Sequence, residues 1–463
     1  MKHISQIKIN TLLAVALLSL GACSKSIEDS TPSGTTNGVN VDSIGHSSFE
    51  VSLPENLRPL TISAYETYGV RPSIRFSVNE DNTLDTYWEG ELSNTADGHR
   101  HLTKISLTSK SIVSEIPFPL ELNLGNTSFL GYEYLGNDRY IMGASEVNAN
   151  DLERTKPIYY CFDHTGKIKY TIDLWKNTSD ANAPGRAGQA IIVYNKFIDN
   201  FGIYMGRREN VAGHQAGWLS LHEAATGIQT FSRPWYISHN FDQRLLPLAN
   251  GHYVALAHAD ALPSRGLLVE QWKFDDAPLN RTWSNYFPIP KAVGGNQNVT
   301  NTTTGDLLEL PNGNIAIVYT TQREYTADWK KRDVRLAILS NVGASKGSAV
   351  TVKDVWLTSY DETESAGWGA QLSHFSQGKI FIAWNVFNPL SSTKVKKTTL
   401  LVTDYEGNTL SRKDIALPNG KGDNSRLVQP SQTIKTTNDG KHLIFMSEGS
   451  APNKLRVNLV DIN

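Results

Sequence analysis

The chain has 463 residues, with 44 Lys+Arg against 46 Asp+Glu, and its formal net charge is −2. Apolar residues make up 39% and charged residues 19%, a globular composition that excludes collagen-like, disordered and coiled-coil classes. The near-zero charge gives no electrostatic reason to expect nucleic acid as a partner.

The N-terminus has the pattern of a secretion signal. Lys2 and Lys8 precede an apolar run over 11–20 that is too short to cross a bilayer and is typical of a signal-peptide core. The run ends in Leu20-Gly21-Ala22-Cys23, which resembles the lipobox of bacterial lipoproteins. The resemblance implies cleavage before Cys23 and acylation of Cys23, for example with palmitate, so that the chain is anchored in a lipid bilayer. The alternative is an ordinary secretion signal followed by a chance cysteine.

These features predict a signal peptide over 1–22 and a flexible tether over 23–48. The tether is rich in Ser, Thr, Gly, Asn and Asp, so it lacks the apolar surface needed to fold alone. The only other cysteine is Cys161. With Cys23 acylated no intrachain disulfide is possible, and the apolar surroundings of Cys161 predict a buried side chain.

The remaining residues, 49–463, contain seven copies of one sequence pattern. An apolar strand, a tight polar turn and a second apolar strand are clearest at Leu310–Tyr319, and the turns fall near residues 82, 138, 197, 251, 313, 378 and 440. Asn-Gly and Asp-Gly between apolar runs predict β-hairpins whose two central residues both take positive φ. The copy near 197 is degenerate and is inferred from its spacing.

The strand count predicts a closed ring. Seven third strands follow the hairpins but only six fourth strands, and an alternating segment at Phe49–Pro54 supplies the missing one. We therefore predict an all-β, seven-bladed β-propeller of four-stranded antiparallel blades, with the last blade closed by the N-terminal strand, because open end blades would expose large apolar faces. A pair of β-sandwiches is the alternative.

The longer connections of a propeller meet at one face, where binding residues usually lie. The predicted ligand-binding residues are Trp235, His239, Asp242, Gln243, Arg207, His214, Asp260, Arg265, Tyr325, Trp329 and Trp368. Aromatic rings stack on sugars and charged groups make strong hydrogen bonds, so this set suits a glycan or an anionic ligand. The alternative is that these side chains are structural ties between blades or solvated loop charges.

Three glutamines, Gln189, Gln243 and Gln432, fall at similar positions at the starts of first strands. They are predicted to line the central channel. Gln371 is one residue out of register by counting from its turn, and a one-residue slip reverses the face of a strand.

The segment Trp235-Tyr-Ile-Ser-His239-Asn240, followed by a strand and an Asn-Gly turn, resembles the histidine-bearing blade of bacterial arylsulfotransferases. That resemblance implies a propeller in which His239 accepts sulfate transiently. The alternative function is therefore an enzyme acting on sulfated or uronic polysaccharides, of transferase or lyase type, with His239 as the reactive group.

No metal or cofactor is predicted, because the pairs His99-Arg-His101 and His258-Ala-Asp260 lack a third ligand at a suitable spacing. The leading interpretation is a non-catalytic binding protein of the bacterial cell envelope, anchored in the outer membrane through Cys23. Its expected ligand is a glycan or a partner protein of an uptake or surface complex, and not nucleic acid.

Overall fold

The computed structural model describes most of the chain after residue 43, with gaps. The described residues are 44–53, 57–59, 74–92, 98–119, 127–147, 155–174, 187–208, 215–235, 243–259, 266–273, 280–288, 302–323, 331–340, 350–361, 363–367, 369–388, 395–416, 434–451 and 453–462. Over these ranges the regular structure is β-strand throughout, and no helix in them is long and apolar enough to cross a membrane.

The strands form seven antiparallel sheets, which confirms the predicted seven-bladed propeller. The first, innermost strands are Ile74–Val78, Thr127–Tyr134, Ala187–Asn195, Arg244–Pro247, Thr303–Glu309, Gln371–Ser376 and Lys435–Thr436. The second strands are Thr83–Leu92, Tyr140–Val147, Asn200–Arg208, Tyr253–Ala259, Ile315–Thr321, Lys379–Phe387 and His442–Glu448.

The outer half of each blade has the same order. The third strands are Gly98–Ser106, Thr155–Phe162, Gln215–Glu223, Gly266–Lys273, Asp333–Ser340, Val395–Asp404 and Lys454–Asp461. The fourth strands are Ser111–Glu115, Ile168–Asp173, Gln229–Trp235, Asn280–Pro288, Val350–Trp356, Thr409–Ala416 and, for blade seven, His46–Ser52. Two short additions, Leu57–Pro59 and Ser365–Ala366, pair with the second strands of blades one and six.

Blade seven is shared by the two ends of the ring. His46–Ser52 pairs antiparallel with Lys454–Asp461, with Phe49 opposite Val457 and Val51 opposite Leu455. The predicted closure is therefore confirmed, although the strand begins at His46 and so before the predicted Phe49. Arg456 reinforces the seam by donating from Nε and Nη2 to Glu50 Oε1, at 3.2 and 2.7 Å.

The seven hairpins lie where the turns were predicted. In blade two Asn137 and Asp138 both have positive φ, as predicted, but the backbone of the blade-five turn differs from the prediction. In blade five, Gly313 N donates to Leu310 O at 2.8 Å and Leu310 N donates to Asn314 O at 2.8 Å. Only Gly313 has positive φ, at 79°, so the prediction that both central residues take positive φ is wrong for this turn. The geometry is a three-residue loop that ends in a left-handed glycine. The degenerate copy is a hairpin too, with Asp199 at φ 49°.

The hydrophobic core is divided among the seven blade interfaces. Seven clusters of buried apolar side chains are present, and each takes its members from two adjacent blades. Trp88 of blade one packs with Val51 and Met446 of blade seven, so the closing interface is as apolar as the others. Each fully buried large side chain contributes about 1.5–3 kcal/mol, which explains why an open ring would be costly. Cys161 is unpaired and buried in the cluster of blades two and three, as predicted.

The alternation of strands gives the ring two different faces. Hairpins join first to second strands and third to fourth strands at one face, which we call the hairpin face. The opposite, long-connection face carries the links between blades, such as 116–126, 174–186, 289–302 and 417–434. The fourth strand of blade seven starts at the hairpin face, where Asp461 N donates to Gly45 O at 3.0 Å.

Candidate functional site

Most of the predicted ligand-binding residues lie outside the described residues. This applies to His239, Asp242, His214, Asp260, Arg265, Tyr325, Trp329 and Trp368, and to Cys23. Two others lie in described strands at the long-connection face: Trp235 ends a fourth strand opposite Gly217, and Arg207 in a second strand pairs with Ala216.

Of the predicted channel glutamines, Gln243 is buried, at 5% exposed, and Gln189 lies in the first strand Ala187–Asn195. Gln371, which the sequence set apart as out of register, is also buried at the start of a first strand, at 1% exposed. Gln371 pairs with Ala383, and the register of its strand shifts between His374 and Ser376. Counting residues from the turn therefore does not give the face of Gln371. Gln432 lies outside the described residues.

Arg323, which follows the second strand of blade five, is bound to other residues of the same blade. Its Nε donates to Asp333 Oδ2 at 3.1 Å, its Nη2 donates to Thr358 O at 2.7 Å, and its guanidinium lies 4.7 Å from the Trp356 ring centroid. These contacts are those of a structural tie.

His101, from the histidine pair noted in the sequence, packs against Trp88. The His101 ring stacks on Trp88 with 4.1 Å between centroids, and its Nδ1 lies 3.6 Å from Glu115 Oε1. Across the described ranges no group of three metal-ligating side chains is present.

The charged groups that meet at the ring axis were not predicted from the sequence. Arg75 of blade one reaches the first strands of other blades: its Nη1 lies 3.4 Å from Ile192 O of blade three and 3.8 Å from Glu133 Oε2 of blade two. The charges of Glu133, Arg244 and Asp306 all act on the Arg75 guanidinium. We call these four residues the axial cluster. They come from blades one, two, four and five.

Arg244 is held firmly in the axial cluster. Its Nε donates to Gly305 O at 2.8 Å, its Nη1 to Gln243 O at 2.8 Å and its Nη2 to Thr304 O at 3.4 Å. Gly305 has no room for a side chain, because a Cβ there would lie 2.5 Å from Ala370 O of blade six. The side chain of Arg244 therefore fixes blade four to blade five next to the axis.

Arg75 is bonded differently from Arg244. The residue is 6% exposed, yet its Nε and Nη2 are buried with no hydrogen-bond partner. Burial lowers the pKa of Arg75. Leaving a buried donor unpaired costs about 1–3 kcal/mol. The two unpaired donors of this guanidinium therefore destabilise the folded protein in the absence of an acceptor.

In two other arginines, Nε and Nη2 bind a carboxylate. Arg335 donates from Nε and Nη2 to the two Asp354 oxygens at 2.6 and 2.7 Å, and Arg456 presents the same two nitrogens to Glu50. Nε and Nη2 are parallel donors, and this geometry matches two acceptor oxygens in one plane. We call this pair of nitrogens the guanidinium edge, and in Arg75 it is buried and unpaired.

A sequence signal for the axial cluster existed. Arg75, Arg244 and Asp306 are charged residues within first strands, whose neighbours in the ring leave little room for water. Buried charges need partners, so a charged residue in an innermost strand is a candidate for function as well as for structure.

No protein-family model and no curated protein sequence matches the chain. Among solved structures, the chain is similar to a Penicillium chrysogenum alpha-L-arabinanase in complex with arabinobiose, at 13% identity and TM-score 0.41, over 90% of this chain and 99% of that one. It is similar to the polysaccharide lyase Uly1 at 10% identity and TM-score 0.49, over 90% and 99%. It is also similar to Drosophila Semaphorin 1b extracellular domains 1–2 at 8% identity and TM-score 0.45, over 84% and 85%. At these values the similarities carry no argument about what this chain does.

Proposed function

We propose that this protein is a lipid-anchored binding protein of the bacterial cell envelope whose ligand is a glycan, bound at the axis of the propeller from the long-connection face. The observation that carries the proposal is the axial cluster, in which Arg75 has buried donors without acceptors. Sugars offer many oxygen acceptors, and charged side chains make the strongest hydrogen bonds to them.

The direction of approach follows from the strand order. Arg244 is the first residue of its strand and Arg75 the second, so both lie towards the end at which blades are linked by the longer connections. The aromatic residues Trp329 and Trp368 belong to those connections in the sequence. Loops on a rigid scaffold are the usual place for binding groups.

In this proposal acylation of Cys23 attaches the protein to the outer membrane through the predicted tether, and the long-connection face binds the ligand.

Two experiments test the proposal. The purified mature protein is applied to an array of neutral and acidic glycans, and we expect binding to at least one class that Trp329→Ala weakens. No glycan binding, together with stoichiometric co-purification of an envelope protein, would contradict it in favour of a protein partner. Labelling cells with an alkyne analogue of palmitate should mark the wild type and not Cys23→Ser.

A further inference from the structure

We infer that the guanidinium edge of Arg75 is a binding site for a carboxylate, and that the glycan therefore contains uronic acid residues. The inference rests on the proposed function for the class of ligand. The carboxylate site itself rests on Arg75 alone.

The first step of the argument is geometric. Nε and Nη2 of Arg75 are buried and have no partner, whereas Nη1 contacts Ile192 O and approaches Glu133. The contacts of Nη1 fix the orientation of the guanidinium, and the two donors of the opposite edge remain parallel and unused. A carboxylate fills such an edge with two hydrogen bonds, as Asp354 does for Arg335.

The second step concerns the acid that lies next to Arg75. The side chain of Glu133 is 14% exposed and lies 3.8 Å from Nη1, on the other side of the guanidinium. Tyr134 N donates to Glu133 Oε1 at 3.1 Å and holds this carboxylate in its place. Glu133 therefore lies next to Arg75 but accepts no hydrogen bond from its Nε or Nη2.

The third step concerns charge. Arg75 and Arg244 carry two positive charges, and Glu133 and Asp306 carry two negative ones. A bound carboxylate would be attracted by the first pair and repelled by the second. Glu133 is the nearer acid and the more exposed one, so neutralising it should strengthen the binding of a carboxylate.

The probes are tetragalacturonate and its fully methyl-esterified form, titrated calorimetrically into the mature protein. We expect the acid form to bind at least about 10-fold more tightly than the ester, which corresponds to about 1.4 kcal/mol. Arg75→Lys keeps the charge but loses the parallel donors, so it should remove this preference. Glu133→Gln should increase affinity for the acid about threefold. Arg412→Gln, on an outer strand, is the matched control and should bind like the wild type.

A second measurement separates the two proposals. Sodium acetate, compared with sodium chloride at equal ionic strength, should raise the melting temperature of the wild type but not of Arg75→Lys. If acetate acts in this way and no glycan binds, the carboxylate site stands and the glycan function fails. If acid and ester bind equally and acetate has no specific effect, the inference is overturned. Tighter binding of an oligoglutamate peptide than of tetragalacturonate would overturn the uronic acid assignment.

Discussion

Arg139, near the hairpin face, differs from Arg75 at the axis. Arg139 of blade two donates to both oxygens of Asp199 in blade three, at 3.2 and 2.7 Å, and also to Leu135 O at 3.0 Å. Those bonds hold the pKa of Asp199 below its usual range. Arg75 is about as buried as Arg139 but has an empty edge. A buried arginine can therefore serve either the fold or ligand binding. The two roles are distinguished by whether its donors already have acceptors in the protein.

Several hydrogen bonds between neighbouring blades have a structural role. Asp85 accepts from Tyr140 at 2.8 Å between blades one and two, Asn195 donates to Leu248 O at 3.3 Å between blades three and four, and Ala249 N donates to Glu309 at 2.8 Å between blades four and five. These bonds add direction to interfaces that apolar packing already stabilises. Arg75 in the axial cluster lacks such partners for Nε and Nη2, which is why we assign these donors to a ligand.

The largest expected effect is at Arg335, which forms an ion pair with Asp354 in which both side chains are largely buried. Arg335→Ala would leave the Asp354 carboxylate without its two hydrogen bonds and remove a contact of 4.8 Å with the Trp356 ring. Losing one partner of a buried pair costs about 3–5 kcal/mol, which should appear in chemical denaturation. Arg412→Ala removes a more exposed pair with Asp414 and should cost under about 1 kcal/mol. Equal effects would contradict the assignment.

The next largest effect is a pH dependence of stability caused by His222. This histidine is buried, and both of its ring nitrogens have uncharged hydrogen-bond partners. Its ring nitrogens lie 3.2 Å from Gly227 O and 3.1 Å from Ser220 Oγ, and burial lowers its pKa to about 4. The unfolded chain takes up a proton here below pH about 6.5, whereas the folded chain does not until about 4. Stability should therefore fall between these values as pH falls, by about 3 kcal/mol.

The control for the pH dependence is His222→Phe, which has no group to titrate at this position. Melting temperatures measured from pH 7 to pH 4 should fall more steeply for the wild type than for this variant. Parallel curves would show that His222 does not cause the loss.

A smaller effect is expected at Arg139. Arg139→Ala removes bonds to Asp199 and to the Leu135 carbonyl, but the side chain of Asp199 is 48% exposed and water can replace the arginine. The expected loss in the free energy of unfolding is about 1–2 kcal/mol, measured by urea denaturation. A loss as large as that of Arg335→Ala would show that exposure of the partner does not set the cost.

The smallest effect on stability is expected at Arg75. Arg75→Met removes one hydrogen bond of 3.4 Å and a distant ion pair, and it also removes two unpaired buried donors. Replacing a poorly compensated buried charge by an apolar side chain is often neutral or stabilising. We expect a change within about 1 kcal/mol. A loss of several kcal/mol would mean that Arg75 is a structural tie after all.

The sequence predicted the ring better than it predicted the site. Asn-Gly and Asp-Gly between apolar runs are local signals, so the hairpins at Gly313 and Gly251 were found where expected. The unequal counts of third and fourth strands predicted that the segment starting at Phe49 completes the last blade, and Phe49 indeed pairs with Val457. Closure was predictable because every blade needs a partner for both of its faces.

The axial cluster was not predictable in the same way. Arg75 and Asp306 are far apart in the chain, and only the ring brings their charges together. Hydrophobic periodicity marks Arg75 merely as a polar position between Ile74 and Phe76. The register shift at Asp306, which sets the position of its strand near the axis, also has no clear signature in the sequence. Which residues meet at such a site depends on the tertiary structure.

The most direct test is a crystal structure of the protein grown with acetate at a resolution that shows carboxylate planes. The account predicts a planar molecule with its two oxygens within hydrogen-bond distance of Nε and Nη2 of Arg75. It predicts that Glu133 stays beside Nη1. A Glu133 carboxylate paired with Nε and Nη2 in place of the ligand would contradict it.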